Sequence, residues 1–210
     1  TQATHDLSRF FDADVAEKIT GSDRPLSAGE GEERSAAIIF TDMRGFTKAS
    51  MTLSSNQLIT LLSEYQRLII PIIRKHGGNI DKFMGDGILA SFGAVIPSAS
   101  YAADVMRAVD EIHEAAERWK KERAEKGLTA VGVGAGVAVG NVVFGMIGLD
   151  DRLEYTVIGE PVNLAAKLEK HNKEEHANAL TDLPALELAK AQGYISVQEK
   201  EIRKGRNVAG

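Results

Sequence analysis

Apolar and polar residues follow several distinct rhythms along this chain, and these rhythms lay out most of its elements. The first is helical. Leu7, Phe10, Phe11, Val15 and Ile19 recur at helical spacing, which predicts a short amphipathic helix ended by Gly21 and Pro25. Its apolar stripe needs cover, either from its own domain or from a pairing partner. Ser27-Ala28-Gly29-Glu30-Gly31-Glu32-Glu33 then reads as a small, acidic linker. The next rhythm is a continuous apolar, partly β-branched run, Ala36-Ala37-Ile38-Ile39-Phe40, which predicts a buried strand delivering Asp42 to the sheet edge.

From Asn56 to His76 the helical period returns at Leu58, Leu61, Leu62, Tyr65, Leu68, Ile69, Ile72 and Ile73. Pro71 lies inside this pattern and predicts a kink or an early break. Asn79 to Met84 and Ile88 to Phe92 read as strands joined by Gly85-Asp86-Gly87, a tight hairpin with Asp86 at its tip. A second long helix is predicted from about Ser98 to Lys126, and its mixed-charge end reads as a solvated face. Val131, Val133, Ala135 and Val137 then alternate with Gly132, Gly134, Gly136 and Ala138. A strand so bare on one face admits a close neighbour, a packed helix or a ligand. Gly140-Asn141 predicts a turn, so residues 130 to 149 read as a hairpin. Leu153 to Ile158 is the next strand, and Glu160-Pro161 opens a helix. On that helix Asn163 and Lys167, four apart, share a face, while Leu164 and Leu168 point into the core.

Composition narrows the classes. The 210 residues fit one large domain, and 43% hydrophobic with 26% charged residues is a globular composition. No apolar run approaches the roughly 20 residues that cross a bilayer, and no signal peptide is evident, so no membrane contact by this segment is expected. The absence of cysteine excludes disulfides and thiolate metal sites, and is compatible with a cytoplasmic location. A formal charge of −5 argues against nucleic acid as a partner. The five histidines have no metal-ligand spacing and read as ordinary core or surface residues. The candidate chemistry is carried by Asp42 and Asp86, each on a turn that follows a strand. Each alone reads more readily as a turn cap. Carboxylates are hard donors suited to Mg²⁺ or Mn²⁺, and in a split β-α-β arrangement the two strands are neighbours, so the aspartates face each other and can serve phosphoryl chemistry.

Three stretches together carry a resemblance: Phe40-Thr41-Asp42-Met43-Arg44-Gly45-Phe46-Thr47, Lys82-Phe83-Met84-Gly85-Asp86-Gly87, and Tyr155 to Ala166 with Gly159-Glu160-Pro161-Val162-Asn163 at its centre. In order and separation they resemble the signatures of class III nucleotidyl cyclase catalytic domains, over roughly Arg34 to the C-terminus. The resemblance implies an α+β fold, a ferredoxin-like βαββαβ core with an antiparallel-dominated sheet, helices packed on it and a C-terminal extension. It places the catalytic domain at 34–210 and makes 1–33 a helix and linker, favouring a connection to an upstream regulatory sensor. It further implies an adenylyl cyclase acting on ATP with two Mg²⁺ or Mn²⁺ ions per site, held by Asp42, Asp86 and the Met43 backbone carbonyl. Backbone N–H groups of residues 43–46 cradle the phosphates, with Phe46 and Thr47 among the substrate-binding residues. Asn163 orients the nucleotide near the ribose, and Lys204 resembles a phosphate-binding lysine. The site is shared between the two subunits of a homodimer, in the cytoplasm or in the cytoplasmic part of a larger, even membrane-attached, protein.

Two positions allow a chemical argument of their own. The resemblance aligns Lys82 and Thr156 with the pair that reads the purine edge; an ammonium donates to adenine N1 and a hydroxyl accepts from the exocyclic amine, whereas guanine reverses both demands. Lys167 departs from the pattern, because an arginine usually stands there. Lysine keeps the charge but loses the planar fork. A nucleotide-binding regulatory domain with little or no turnover is therefore the alternative. A diguanylate cyclase lacks its Gly-Gly-acidic-acidic-Phe turn here, and an RNA-binding ferredoxin-like module lacks paired exposed aromatics.

Overall fold

The structure, a computed structural model, describes residues 9–21, 29–149, 152–197 and 200–203. Leu7, Pro25, the first two residues of the expected linker and Lys204 lie outside the described residues. In chain order the elements are α1 (Ala13–Thr20), β1 (Gly31–Arg44), α2 (Phe46–Thr52), α3 (Ser55–Lys75), β2 (Gly78–Met84), β3 (Gly87–Phe92), α4 (Tyr101–Glu125), β4 (Gly132–Leu149), β5 (Arg152–Ile158), α5 (Glu160–Glu175), β6 (Ala179–Thr181) and α6 (Leu183–Ala191).

The sheet runs β2-β3-β1-β4-β5, with β6 added in parallel beside β4 and every other pairing antiparallel. Its first four strands have the order of the expected βαββαβ unit. Alternation along β1 divides the core. Ala37 and Ile39 point to a layer built by α3, α4 and α6, while Ala36, Ile38 and Phe40 point to the opposite layer, which includes Val15 of α1 and Ala165 of α5. Both faces are covered, which is why the run reads as continuous rather than alternating apolar.

Three expectations are corrected. Gly31, Glu32 and Glu33 are strand rather than linker, because they pair with Gly145, Phe144 and Val143 of β4; backbone pairing outweighs their low strand preference. The expected hairpin at residues 130 to 149 is one strand of 18 residues, and Gly140 and Asn141 stay paired with Ala36 and Ser35. Gly140 is there for another reason, since a Cβ would stand 2.9 Å from the Pro161 ring at the start of α5. α3 runs through Pro71 unbroken. Pro71 and Arg67 are both exposed, and on a solvent-facing side of a helix water can replace the hydrogen bond that a proline removes. β6 and α6 were covered only by the expected extension. Three residues are too few to show a period, but Asp182, whose side chain accepts from Ala185 N at 3.0 Å, is an N-cap followed by Pro184, a readable helix start.

The bare face of β4 receives a helix. A Cβ on Gly136 would lie 2.1 Å from the Ala165 carbonyl oxygen and 2.4 Å from Glu169 N, both backbone atoms of α5. Neither can move aside without displacing the helix. Gly136→Ala is therefore expected to cost about 3 kcal/mol or more, read as a lowered midpoint in thermal or urea unfolding; an unchanged midpoint would show that α5 does not sit this close.

α1 lies on its own domain. Val15 and Ala16 are buried, the buried Asp12 carboxylate pairs with Arg74 and accepts from Ile80 N, and Asn79 donates to Asp14 at 2.7 Å. Phe11 and Ile19 pack partly buried beside Val15, whereas Phe10 stays exposed. At the other end, Tyr194 and Lys200 both donate to the buried Asp110 of α4, at 2.5 and 2.8 Å, and pin the chain that follows α6.

Candidate active site

The two aspartates meet. β1 and β3 pair through Thr41↔Ile88, so the β2–β3 turn lies beside the end of β1. Met84 pairs with Gly87 across that turn, and Gly85, at φ +63°, supplies the positive φ that a two-residue hairpin needs. Asp86 at the tip accepts from Met43 N at 3.2 Å, which brings its carboxyl close enough to Asp42 to raise the Asp42 pKa. Behind them, Thr41 and Tyr65 are buried and bonded at 2.7 Å, which fixes the strand against α3.

Burial, then the neighbouring Asp86 carboxyl, then the charge of Glu169, push Asp42 up to about 8, while Lys173 opposes them. Two carboxylates this close do not both ionise readily; they share a proton unless a cation takes its place. This donor set fits Mg²⁺ or Mn²⁺. Among the described residues no cluster of three or more metal-binding side chains forms. Mg²⁺ does not require one, because it is typically held by one or two carboxylates, with water and substrate phosphate completing the shell.

Glu169 and Arg44 sit next to this pair; Arg44 lies within the first signature stretch but was given no role there, and Glu169 carried no sequence signal beyond its charge. Gly134 is paired with Asp42 on the neighbouring strand, and the space over its bare backbone is occupied by Glu169 Oε1 and Arg44 Nε. The Arg44 guanidinium donates to the Ala177 carbonyl and to Asn178 Oδ1 at 3.4 Å, tying β1 to the end of α5. Burial holds its pKa below the usual arginine value, against the charges of Glu169 and Asp42.

Of the N–H groups 43–46 expected to cradle the phosphates, one has a partner within the chain. Met43 N is spent on Asp86, which leaves the region after Gly45, where no side chain caps the first turn of α2 and Thr47 is exposed. Lys82 and Thr156 are brought together although β2 and β5 stand at opposite ends of the strand order. The sheet curls until they meet. Thr156 Oγ1 donates to Asp81 Oδ2 at 2.8 Å, and Lys82 Nζ lies 2.6 Å from Glu154 Oε1 and 3.7 Å from Asp81 Oδ2. Asp81 and Glu154 were not anticipated, because nothing local marks two acids on separate strands as neighbours. Asn163 and Lys167 are exposed on one face of α5, with Leu168 buried and Leu164 half-buried. Glu169, which acts on Asp42, is six residues beyond Asn163 and faces inward, so Asn163 stands about 9 Å back along the helix axis on its outward side.

This geometry has relatives. Residues 30–205 match the family model described as the adenylate and guanylate cyclase catalytic domain. The chain is 30% identical over 168 residues to adenylate cyclase 1 of Rhizobium meliloti, covering 80% of this chain and 24% of that protein. It is 33% identical over 157 residues to an adenylate cyclase of Anabaena cylindrica, covering 74% of this chain and 31% of that protein. It thus spans about a quarter to a third of the length of these curated relatives. Among solved structures it is similar to the guanylyl cyclase Cya2, with TM-score 0.68 and 32% identity over 76% of this chain and 80% of that one. It is also similar to the adenylyl cyclase CyaB from P. aeruginosa, with TM-score 0.70 and 29% identity over 77% and 83%. Because the family match runs from the start of β1 to the last described segment and takes in both aspartate turns, the chain belongs to the class III adenylate and guanylate cyclase catalytic domains.

Proposed function

We propose that this domain is an adenylyl cyclase that converts ATP to 3′,5′-cyclic AMP and pyrophosphate in a homodimer with shared sites. The observation that carries this reading is the meeting of the Asp42 and Asp86 turns at the ends of two paired strands, where Met43 N donates to Asp86 at 3.2 Å. Asp42, Asp86 and the Met43 carbonyl would hold two Mg²⁺ or Mn²⁺ ions. When bound, such ions acidify the ribose 3′-hydroxyl and neutralise the triphosphate. Lys82 donates to adenine N1, and the Thr156 oxygen accepts from the exocyclic amine. Asn163 orients the ribose, and Lys167 brings positive charge to the α-phosphate as pyrophosphate leaves. The first turn of α2, with Phe46 and Thr47, borders the triphosphate, and Lys204 adds a phosphate contact. Sharing between subunits is supported by the outward placement of Asn163, which turns it away from the Asp42 side of its own α5.

Since the chain spans only part of its curated relatives, we further propose that it is the output domain of a longer sensor protein, acting on the cytoplasmic side. Among the described residues no helix is long and apolar enough to cross a membrane. A second reading, nucleotide binding with little turnover, is favoured by one residue, Lys167 where the family usually has arginine. Purified protein with Mn²⁺ and either ATP or GTP separates the two. Cyclic AMP made in preference to cyclic GMP is the expected result, whereas binding without product favours the second reading. In the same assay Lys167→Arg is expected to raise the rate about tenfold, since a guanidinium fork adds a second donor at the transition state. No change would place Lys167 away from the phosphates.

A further inference from the structure

We infer that Asp81 is a positioning residue for base selection: it fixes the Thr156 hydroxyl as a hydrogen-bond acceptor toward the purine, favouring the adenine amino group over the guanine carbonyl. This rests on the reading of Lys82 and Thr156 as the base-reading pair. Two features of the backbone put Asp81 in place. The β2–β3 register slips at this residue, Ile80 facing Ala90 and Lys82 facing Leu89, so Asp81 is the extra residue of a bulge. Bulges re-aim a side chain out of the regular alternation. The curl of the sheet then brings β5 against it. Asp81 Oδ2 accepts from Thr156 Oγ1 at 2.8 Å and Oδ1 accepts from Val157 N at 3.3 Å.

The direction of the first bond is what matters. An ionised carboxylate is an acceptor only, so the single proton of the threonine hydroxyl points at Asp81. What Thr156 presents elsewhere is lone pairs. The adenine 6-amino group donates to them; guanine O6 is itself an acceptor and is repelled. Both residues are largely buried, Thr156 at 6% exposed, so solvent does not compete for the hydroxyl. Lys82 Nζ lies 3.7 Å from this carboxylate but only 2.6 Å from Glu154 Oε1, so Glu154 rather than Asp81 holds the second member of the pair. Burial pushes Asp81 up to about 6, against Thr156, Lys82 and Val157 N, so at pH 8 the acceptor-only form prevails.

Asp81→Asn tests this with almost no change of shape. With the amide oxygen kept on Val157 N, the amide NH₂ faces Thr156 and donates, and the hydroxyl proton is freed to point at a carbonyl. The probes are 3′-deoxy-ATP and 3′-deoxy-GTP with Mn²⁺ at pH 8, which lack the attacking hydroxyl and report binding whether or not the protein turns over. The wild type should prefer the adenine probe, and Asp81→Asn should lower the adenine-to-guanine binding ratio about tenfold, the effect of reversing one hydrogen bond. Thr156→Ser should keep the ratio and Thr156→Val should lower it. Adding Asp81→Asn to Thr156→Val should change the ratio no further, because the effect passes through the hydroxyl. A wild-type ratio in Asp81→Asn, or an effect that persists in the Thr156→Val background, overturns the inference and leaves the cyclase reading standing. A wild type that prefers the guanine probe, or binds neither, overturns the base-pair reading, and this inference with it.

Discussion

Asp42→Asn is expected to remove cyclase turnover by about a thousandfold, while making the metal-free protein more resistant to heat at neutral pH. The loss follows from taking away one of two carboxylates proposed to hold the metal ions. The gain follows from what the pair does without metal. Asp42 is pushed up to about 8, far above the ordinary carboxylate value, by burial and by Asp86. The folded state therefore holds a proton that the unfolded chain releases near pH 4. Stability falls wherever the folded state binds more protons than the unfolded one, so the wild type in chelator should lose melting temperature as pH rises from about 4 to about 8. Asparagine carries no such penalty and should flatten the curve. Mn²⁺ should act on one protein and not the other: it binds the deprotonated pair and raises the wild-type melting temperature at pH 8, but leaves the variant nearly unmoved. Melting scans across pH, with chelator and with Mn²⁺, decide this. A wild-type melting temperature that rises with pH in chelator would remove the shared proton from the account.

Mixing two dead variants should restore turnover. If Asp42 serves a site completed by Asn163 of the other subunit, Asp42→Ala and Asn163→Ala homodimers are both inactive. Their heterodimer contains one intact site. With free exchange half the dimers are mixed, and each has one working site of two, so activity should recover to about a quarter of wild type. Specific activity of the wild type should also fall on dilution below the dimer dissociation constant. Mixed dimers that demonstrably form, yet stay as inactive as their parents, would place the whole site within one chain and remove the role given to dimerisation.

How far the site was legible follows from the range of each interaction. Asp42 and Asp86 could be paired on paper because a strand, a helix and a hairpin leave their turns only one way to lie, and Thr41↔Ile88 bears that out. The helical face of Asn163 and Lys167 was legible from a four-residue spacing, and the close helix on β4 from its glycines. The hairpin expected at Gly140-Asn141 was not there, because a glycine needed for room beside Pro161 has the same letter as a glycine needed for a turn. Pro71 misled in a similar way, since its cost depends on whether the orphaned carbonyl faces water.

The order of elements, the two aspartate turns and the covered sheet were set by local pattern: side-chain period, turn chemistry and short-range backbone geometry act within a few residues and are written in the sequence. Which acids become neighbours was decided only by the fold. Asp81 meets Thr156, and Glu169 meets Asp42, because the sheet curls, one residue bulges and α5 lies on bare glycine backbone. Each of these depends on the sum of packing over the whole domain, and Coulomb and hydrogen-bond energies take their size from the burial and distance that packing sets.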